Sequence, residues 1–371
     1  MSAATKIAEV RVLAASATGI LPYQRRGIRQ RVRSLFGTPV NAVISLLCIW
    51  LIWRFVKMSF NWLILHAVFE GGRQDCATSY GACWPFVLTK LRFVLFGTYP
   101  YDEQWRMALS LMIFSVAAGL SMLPRLWGRW LITVWLVTVP LLAALMWGGV
   151  FGLRYVPTLQ WSGLPLSLML SFIGIVLGFP VGVLLAMART GPLPAIRGLA
   201  ILFIEIVRSL PVVTIMFMAA IMLPLFMRSG AQAGVLLRVQ VAIILVAGAY
   251  IAETVRGGLQ AVPREQFEAA QSLGLRYWQI MGLVVVPQAL RIVIPSLVII
   301  AIGFFQDTAL VTVVGLMDFL STVRSAMHDP NWEGLVVIDG YLFAGAVYFA
   351  ISFGLGVYGR FVERRAQMGG F

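Results

Sequence analysis

Charged residues are scarce in this chain. Only 12% of its 371 residues are Asp, Glu, Lys or Arg, and 60% are hydrophobic. A typical soluble domain holds about 25% charged and about 45–50% apolar residues. A soluble fold could not cover so much apolar surface, so the composition predicts an integral membrane protein. The net charge of +14 does not indicate nucleic-acid binding, because apolar runs separate the basic residues instead of gathering them on one face.

Histidine and cysteine are scarce as well. The two histidines, His66 and His328, have no Cys or carboxylate cluster at metal-ligand spacing, so no metal site is predicted. Cys76 and Cys83 lie in a polar stretch, and their spacing suits a local disulfide if that stretch is extracytoplasmic. Free thiols are the equal alternative.

Long apolar runs are what the sequence has in abundance. Each is long enough to cross about 30 Å of hydrocarbon as a helix, so about eight transmembrane helices are predicted. The runs are 39–56, 106–123, 130–151, 163–188, 199–226, 239–257, 282–303 and 337–359. With both termini in the cytoplasm, the cytoplasmic segments hold 17 Lys and Arg residues against 9 on the opposite side, which fits the positive-inside rule.

Two local patterns refine this arrangement. The segment 60–69, inside the predicted extracytoplasmic stretch 57–105, is too short to span and predicts an interfacial helix. Gly174, Gly178 and Gly182 recur every four residues on one face of the fourth run, which predicts close packing against another helix.

The loop 258–281 predicts a short amphipathic cytoplasmic helix. Pro263 suits its first position, Glu265 suits the positive N-terminus and Gly274 suits the C-cap. An apolar face is formed by Phe267 and Ala270 at helical spacing, and Leu273 extends it. Such a helix either lies on the membrane surface or docks into a groove on a partner protein.

The same loop resembles the EAA loop of bacterial ABC-importer permeases. The matching residues are Glu268, Ala269, Ala270, Gly274 and Pro287, with valines at 284 and 286 where Ile and Leu are usual. The resemblance covers about 163–365 and narrows to the polar amino-acid permeases. The further matching segments are Phe203–Pro211, Tyr250–Gly258 and Phe305–Leu310, with Gln306 where Lys is common. The additional N-terminal runs and residues 81–84 resemble one of the paired permeases of general L-amino-acid importers.

The resemblance implies a fold and a domain organisation. An all-α membrane protein is expected, with a five-helix type I permease core at 163–365 preceded by three extra helices in an extension at 39–162. A basic cytoplasmic segment at 1–38 comes before them. In this family the loop 258–281 is the coupling helix that fits a cleft on the ATPase.

The resemblance also implies the partners. No lysine follows a glycine-rich phosphate loop, so ATP is expected to bind a separate ATPase dimer and the chain itself to need no cofactor. The expected partners are that ATPase, a second permease that is a sister chain or a second copy, a periplasmic amino-acid-binding protein, the amino-acid substrate and membrane lipid. The expected location is the bacterial inner membrane.

Charged residues inside the apolar runs are candidates for function. Glu205 and Arg208, like Glu253 and Arg256, are three residues apart and are expected to neutralise each other. Asp307, followed by Thr308, has no partner at helical spacing. It either meets the α-amino group of a passing substrate or caps the next helix.

Two other functions compete with an importer subunit. A secondary amino-acid transporter is expected to carry paired intramembrane acids or inverted repeats, and neither is evident. A membrane-embedded transferase is expected to carry a catalytic His or paired carboxylates at one membrane face, which two isolated histidines do not provide. The sequence therefore favours a transport subunit without a catalytic site.

Overall fold

The computed structural model describes residues 35–150, 152–226 and 234–367, and these are almost entirely helical. Most of the predicted segment 1–38 and Arg228 lie outside the described residues. The α-helices in chain order are α1 Pro39–Phe60, α2 Arg73–Thr78, α3 Trp84–Phe96, α4 Gln104–Ser121, α5 Arg129–Trp147, α6 Gly163–Thr190, α7 Pro194–Ser209, α8 Val212–Phe217, α9 Val235–Ala261, α10 Arg264–Ser272, α11 Tyr277–Ile280, α12 Val286–Asp307, α13 Phe319–Met327 and α14 Val337–Gln367. A two-residue strand, β1 Met317–Asp318, precedes α13.

The chain divides after Ala67 into two compact units. In the first, the Thr38 hydroxyl accepts the backbone N–H of Asn41 and so caps the start of α1. The predicted interfacial helix at 60–69 is wrong. A π-helical turn, Asn61–Leu65, continues α1 instead, so that the helix is 27 residues long. No side chain of α1 is buried within the unit.

Helices α6 and α9 form the centre of the second unit. Gly174 faces Ile243, and Gly182 faces Ile251, so closely that a Cβ atom at either glycine would clash with the isoleucine. The contacts advance along both helices in the same direction, so α6 and α9 run parallel. The predicted glycine face is therefore the face on which α9 packs. Helix α9 is also the most buried of the long apolar helices, with 61% of its most apolar stretch buried inside the protein.

The fifth predicted run is not one continuous helix, which corrects the prediction for 199–226. Helix α7 ends at Ser209, and α8 begins after Pro211 at an angle of 103° to it. Proline has no N–H to continue the hydrogen-bond ladder and disfavours helical geometry in the residue before it, which breaks the segment here. A π turn and a 3₁₀ turn extend α8 to Phe226.

Six described helices are long and apolar enough to cross a membrane, and the bent pair α7–α8 makes a seventh. Helix α4, on the second predicted run, falls outside this set because its first turn carries the polar residues Gln104 and Arg106. It nonetheless packs alongside α5. Ser121 at its end accepts hydrogen bonds on its carbonyl from Trp127 and from Tyr358 of α14.

The two ends of α6 mark two ends of the second unit. Its N-cap Ser162 and its first residue Gly163 pair with β1, while its last residue Thr190 lies beside the loop that contains α10. A helix of 28 residues places these ends about 42 Å apart. The unit therefore presents two separate surfaces, one at each end of α6.

Candidate functional site

The predicted amphipathic loop forms helix α10. Pro263 takes the N-cap position with extended backbone, one residue earlier than predicted, and Glu265 lies in the first turn. A carboxylate there interacts favourably with the positive end of the helix dipole. The helix ends at Ser272.

Gly274 closes α10 in the left-handed backbone conformation, with φ of +78°. Its N–H donates to the carbonyl of Gln271 at 2.9 Å, and the N–H of Leu275 donates to the carbonyl of Ala270 at 3.4 Å. These two bonds form a Schellman motif, in which the left-handed position is usually glycine because a Cβ atom is disfavoured there. Gly274 therefore has the capping role that its position in the sequence predicts.

One face of α10 packs on the membrane-spanning helices. Ala270 is buried in a small cluster with Ile280, Met281 and Val285, and the rings of Phe267 and Tyr277 lie 6.4 Å apart. Beside this cluster is an open cavity of about 370 Å³, lined by Thr190, Leu259, Gln260, Val262, Pro263, Arg264, Phe267, Glu268, Tyr277, Met281 and Val285. The loop thus has a small core of its own against the ends of α6, α9 and α12.

The other face of the loop is open. Glu268 and Ala269 are exposed, and so is Pro287 at the start of α12. Leu273 is 81% exposed, and Trp278 is 59% exposed. The prediction that Leu273 extends the packed apolar face is wrong, because α10 ends at Ser272 and Leu273 turns out of register. Two large apolar side chains therefore project from a polar loop.

A network of charges joins α6, α7 and α9. Glu253 lies 3.3 Å from Arg189 and 3.6 Å from Arg208, and it also contacts Arg256, three residues away on α9. Glu205 pairs with Arg189 at 2.9 Å, so the predicted local pair of Glu205 with Arg208 is wrong. The Glu253–Arg256 pair forms as predicted. Arg189 precedes Thr190, which lines the cavity beside α10, and so the network lies next to the loop.

Arg189 is the member of this network that sequence reasoning missed. Its partners are 16 and 64 residues away in the chain, so no local spacing could indicate them. The one available signal was its position at the end of an apolar run, where a basic residue also satisfies the positive-inside rule.

Comparisons with known proteins identify the family. Residues 178–367 match the model described as "Binding-protein-dependent transport system inner membrane component". The chain is 42% identical over 345 residues to the "Inner membrane amino-acid ABC transporter permease protein YhdY" of Escherichia coli K12, a match that covers 91% of this chain and 92% of that protein. This chain belongs to that permease family. It is a transport subunit and not an enzyme.

Other relatives differ in length. The permease is 31% identical to the "Glutamate/glutamine/aspartate/asparagine transport system permease protein BztC" of Rhodobacter capsulatus, over 90% of this chain and 92% of that protein. It is also 31% identical to the "Glutamate/aspartate import permease protein GltK" of Escherichia coli O6:H1 strain CFT073, but over only 57% of this chain and 95% of that protein. A solved structure titled "Crystal structure of an amino acid ABC transporter with histidines" is 27% identical, covers 55% of this chain and 92% of its own, and has a TM-score of 0.49.

Asp307 and Thr308 lie at the end of α12 in the permease. Asp307 precedes a 3₁₀ turn, Thr308–Val314, but its side chain makes no capping hydrogen bond there, so the predicted capping role is wrong. Thr308 is buried and its hydroxyl donates to the carbonyl of Phe305 at 2.7 Å. In the part of the chain that the structure describes, the Asp307 carboxylate has no ion pair or hydrogen bond, and it is half-buried.

Proposed function

We propose that this permease translocates amino acids in an ATP-driven importer. The observation that carries the proposal is the match over 91% of the chain to a protein whose name states amino-acid transport, supported by a second amino-acid permease matched over 90%. Both matches extend well beyond the family's shared core, so they include much of the N-terminal half of this chain.

The exposed part of the loop that contains α10 is the proposed contact with the ATPase. Leu273 and Trp278 are large apolar side chains exposed in the same loop as Glu268 and Ala269, and burial against a partner would remove their apolar area from water. The packed face, held by Ala270 and the Gly274 cap, would transmit movement of the partner to α6, α9 and α12. ATP is then bound by the partner, and this chain holds no cofactor.

The orientation of the proposed complex follows from its contact with the ATPase. If α10 faces the cytoplasm, the Gly163 end of α6 faces the opposite side, and the C-terminal end of α14 with Arg364 and Arg365 is cytoplasmic, in accord with the positive-inside rule. The disulfide between Cys76 and Cys83 then lies outside the cytoplasm, where disulfides persist. A bacterial inner-membrane location, with both termini cytoplasmic, is the proposed topology.

The complete importer is proposed to contain an ATPase dimer, a second permease and a periplasmic amino-acid-binding protein. Asp307 is the proposed contact for the substrate α-ammonium group, because an unpaired carboxylate near the end of a membrane helix is costly unless a cation visits it. Asp307→Asn should then lower the apparent affinity for all amino-acid substrates about equally. An unchanged affinity would show that Asp307 does not contact the substrate.

Reconstitution in nanodiscs tests the proposed function. The permease, its sister permease, the ATPase and the binding protein are combined, and ATP hydrolysis is measured as each amino acid is added. Amino acids should stimulate hydrolysis only when the binding protein is present. Uptake by the permease alone, driven by an ion gradient without the ATPase, would contradict the proposal and favour a secondary transporter.

A further inference from the structure

The segment 68–97, which we name the cap, contains α2 and α3 and lies at the α13 end of the unit. Cys76 and Cys83 form a disulfide with their Cα atoms 5.6 Å apart, and this closes the loop at residues 77–82. The backbone of Val68 pairs with Cys83, so both ends of the loop are fixed. The cap is therefore a small preformed structure and not a flexible linker.

Buried contacts fix the cap to the permease core. The Asp339 carboxylate at the start of α14 accepts the N–H of Cys83 at 2.6 Å, and Thr322 of α13 donates to the carbonyl of Val94 at 2.6 Å. Phe86 of α3 stacks edge-on against Trp332 with ring centroids 5.7 Å apart. These three contacts reach α13, α14 and the loop between them, so the cap and this part of the core move together.

Polar contacts at the rim complete the attachment. Lys90 forms an ion pair with Asp329 at 2.6 Å, and Arg73 donates to the carbonyl of Pro330 at 2.8 Å. At the neighbouring start of α6, Gly163 has φ of +73° and meets the carbonyl of Leu95 so closely that a Cβ atom would have no room. The C-terminal end of α3 thus packs directly against the N-terminal end of α6.

The cap exposes the large hydrophobic side chains Phe69, Tyr80 and Leu88, of which Tyr80 is the most exposed. Tyr80, at the tip of the disulfide-closed loop, is 94% exposed. Its neighbours in sequence are Thr78, Ser79, Gly81 and Ala82, all small. A tyrosine among small residues is the composition that protein-binding loops favour, because the ring brings a large contact area at low entropic cost.

The position of the cap indicates which partner could bind it. It lies at the end of α6 about 42 Å from the loop that contains α10, and so on the opposite side from the proposed ATPase contact. Transport in this family depends on a binding protein. A binding protein would meet the permease on the side opposite the proposed ATPase contact, which is the side where the cap lies.

We propose that the cap is a docking surface for the solute-binding protein of this importer, with Tyr80 as its anchor and with α13 and α14 receiving the contact. The inference rests on the proposed function. A lipid headgroup is the competing occupant, since tyrosines also favour the membrane interface.

The test uses the complete complex in nanodiscs, with its ATPase activity measured against the concentration of substrate-loaded binding protein. Tyr80→Ala should raise the concentration for half-maximal stimulation about tenfold and leave basal hydrolysis and the maximal rate unchanged. Tyr155→Ala, which removes an exposed tyrosine outside the cap, is the matched control and should change nothing.

Two outcomes would overturn the assignment of the cap. One is an unchanged half-maximal concentration in Tyr80→Ala. The other is a shift that appears only when the nanodisc lipids are changed, which would mean that Tyr80 anchors the cap to lipid. A wild-type complex that no binding protein stimulates would instead contradict the proposed function, so the two failures are distinguishable.

Discussion

The two ends of α6 are built in opposite ways. At the α10 end, the loop is held by the Schellman motif at Gly274 and by a cluster of four buried side chains. A cavity of about 370 Å³ lies beside this cluster, and the side chains of Leu273 and Trp278 are exposed. At the other end, residues 68–97 are held by a disulfide, an ion pair and two buried hydrogen bonds, one that Asp339 accepts and one that Thr322 donates.

The difference indicates how each end works. Few contacts and exposed apolar side chains are typical of an element that completes its packing on a partner and moves with it. Many buried hydrogen bonds and contacts between distant parts of the chain are typical of a surface that must keep its shape. Substitutions of exposed residues at the α10 end should therefore change coupling more than stability, and substitutions of the buried residues that hold the cap should change stability first.

The largest effect is expected at Gly274. Gly274→Val places a β-branched residue at φ of +78°, at a cost of about 2 kcal/mol, so amino-acid uptake should fall about 30-fold through misplacement of α10. Membrane insertion, measured by fractionation, should be normal. Gly282→Ala is the control, because its Cβ atom would meet nothing within 4 Å. Normal uptake by the valine variant would show that the loop tolerates a distorted turn at the C-terminal end of α10.

Asp339 tests the cap end. Asp339→Ala leaves the buried N–H of Cys83 without its acceptor, which costs about 1–3 kcal/mol. We expect a lower unfolding temperature, followed by tryptophan fluorescence, with little change in ATPase coupling in the surviving protein. Asp339→Asn keeps an acceptor oxygen and should be closer to wild type. A coupling defect without a stability defect would contradict the comparison.

Leu273 should behave in the opposite way. Leu273→Ala removes an exposed side chain, so the unfolding temperature should not change. If the ATPase covers this residue, about 1 kcal/mol of contact is lost, and the ATPase concentration for half-maximal assembly should rise about fivefold. Ala270→Leu, at a buried position of α10 in the same loop, is expected to lower stability instead. Equal assembly by Leu273→Ala and wild type would place the ATPase elsewhere.

The smallest effect concerns pH at the rim of the cap. The hydrogen bond from Lys90 lowers the pKa of Asp329, a residue in the loop before α14. A lowered carboxylate pKa stabilises the folded state above the ordinary Asp value of about 3.9, and this contribution is lost as the pH falls below it. The difference in unfolding temperature between wild type and Lys90→Met should therefore be constant from about pH 5 to 8 and shrink below about pH 4. A difference in unfolding temperature that does not shrink at all between about pH 5 and the lowest pH measured, well below about pH 4, would exclude the ion pair as its cause.

Much of the fold could be predicted from the sequence because membrane helices carry their signal locally. Twenty or so apolar residues must form a helix in lipid, and Gly174 and Gly182 at helical spacing mark a packing face whatever the partner is. The loop with α10 was predictable for the same reason, since the caps at Pro263 and Gly274 act within one turn of themselves. Errors arose where one residue interrupts a run, as Pro211 does between α7 and α8.

Contacts between distant residues could not be predicted in this way. Composition and local spacing were enough to predict a helical membrane protein with a short amphipathic helix in the loop 258–281, because hydrophobicity and capping depend on neighbours in sequence. Only the tertiary structure decided that Arg189 bridges Glu205 and Glu253, and that Cys83 is held by Asp339. Partners 16 to 256 residues apart meet only after the helices have packed, and no local pattern records which helices become neighbours.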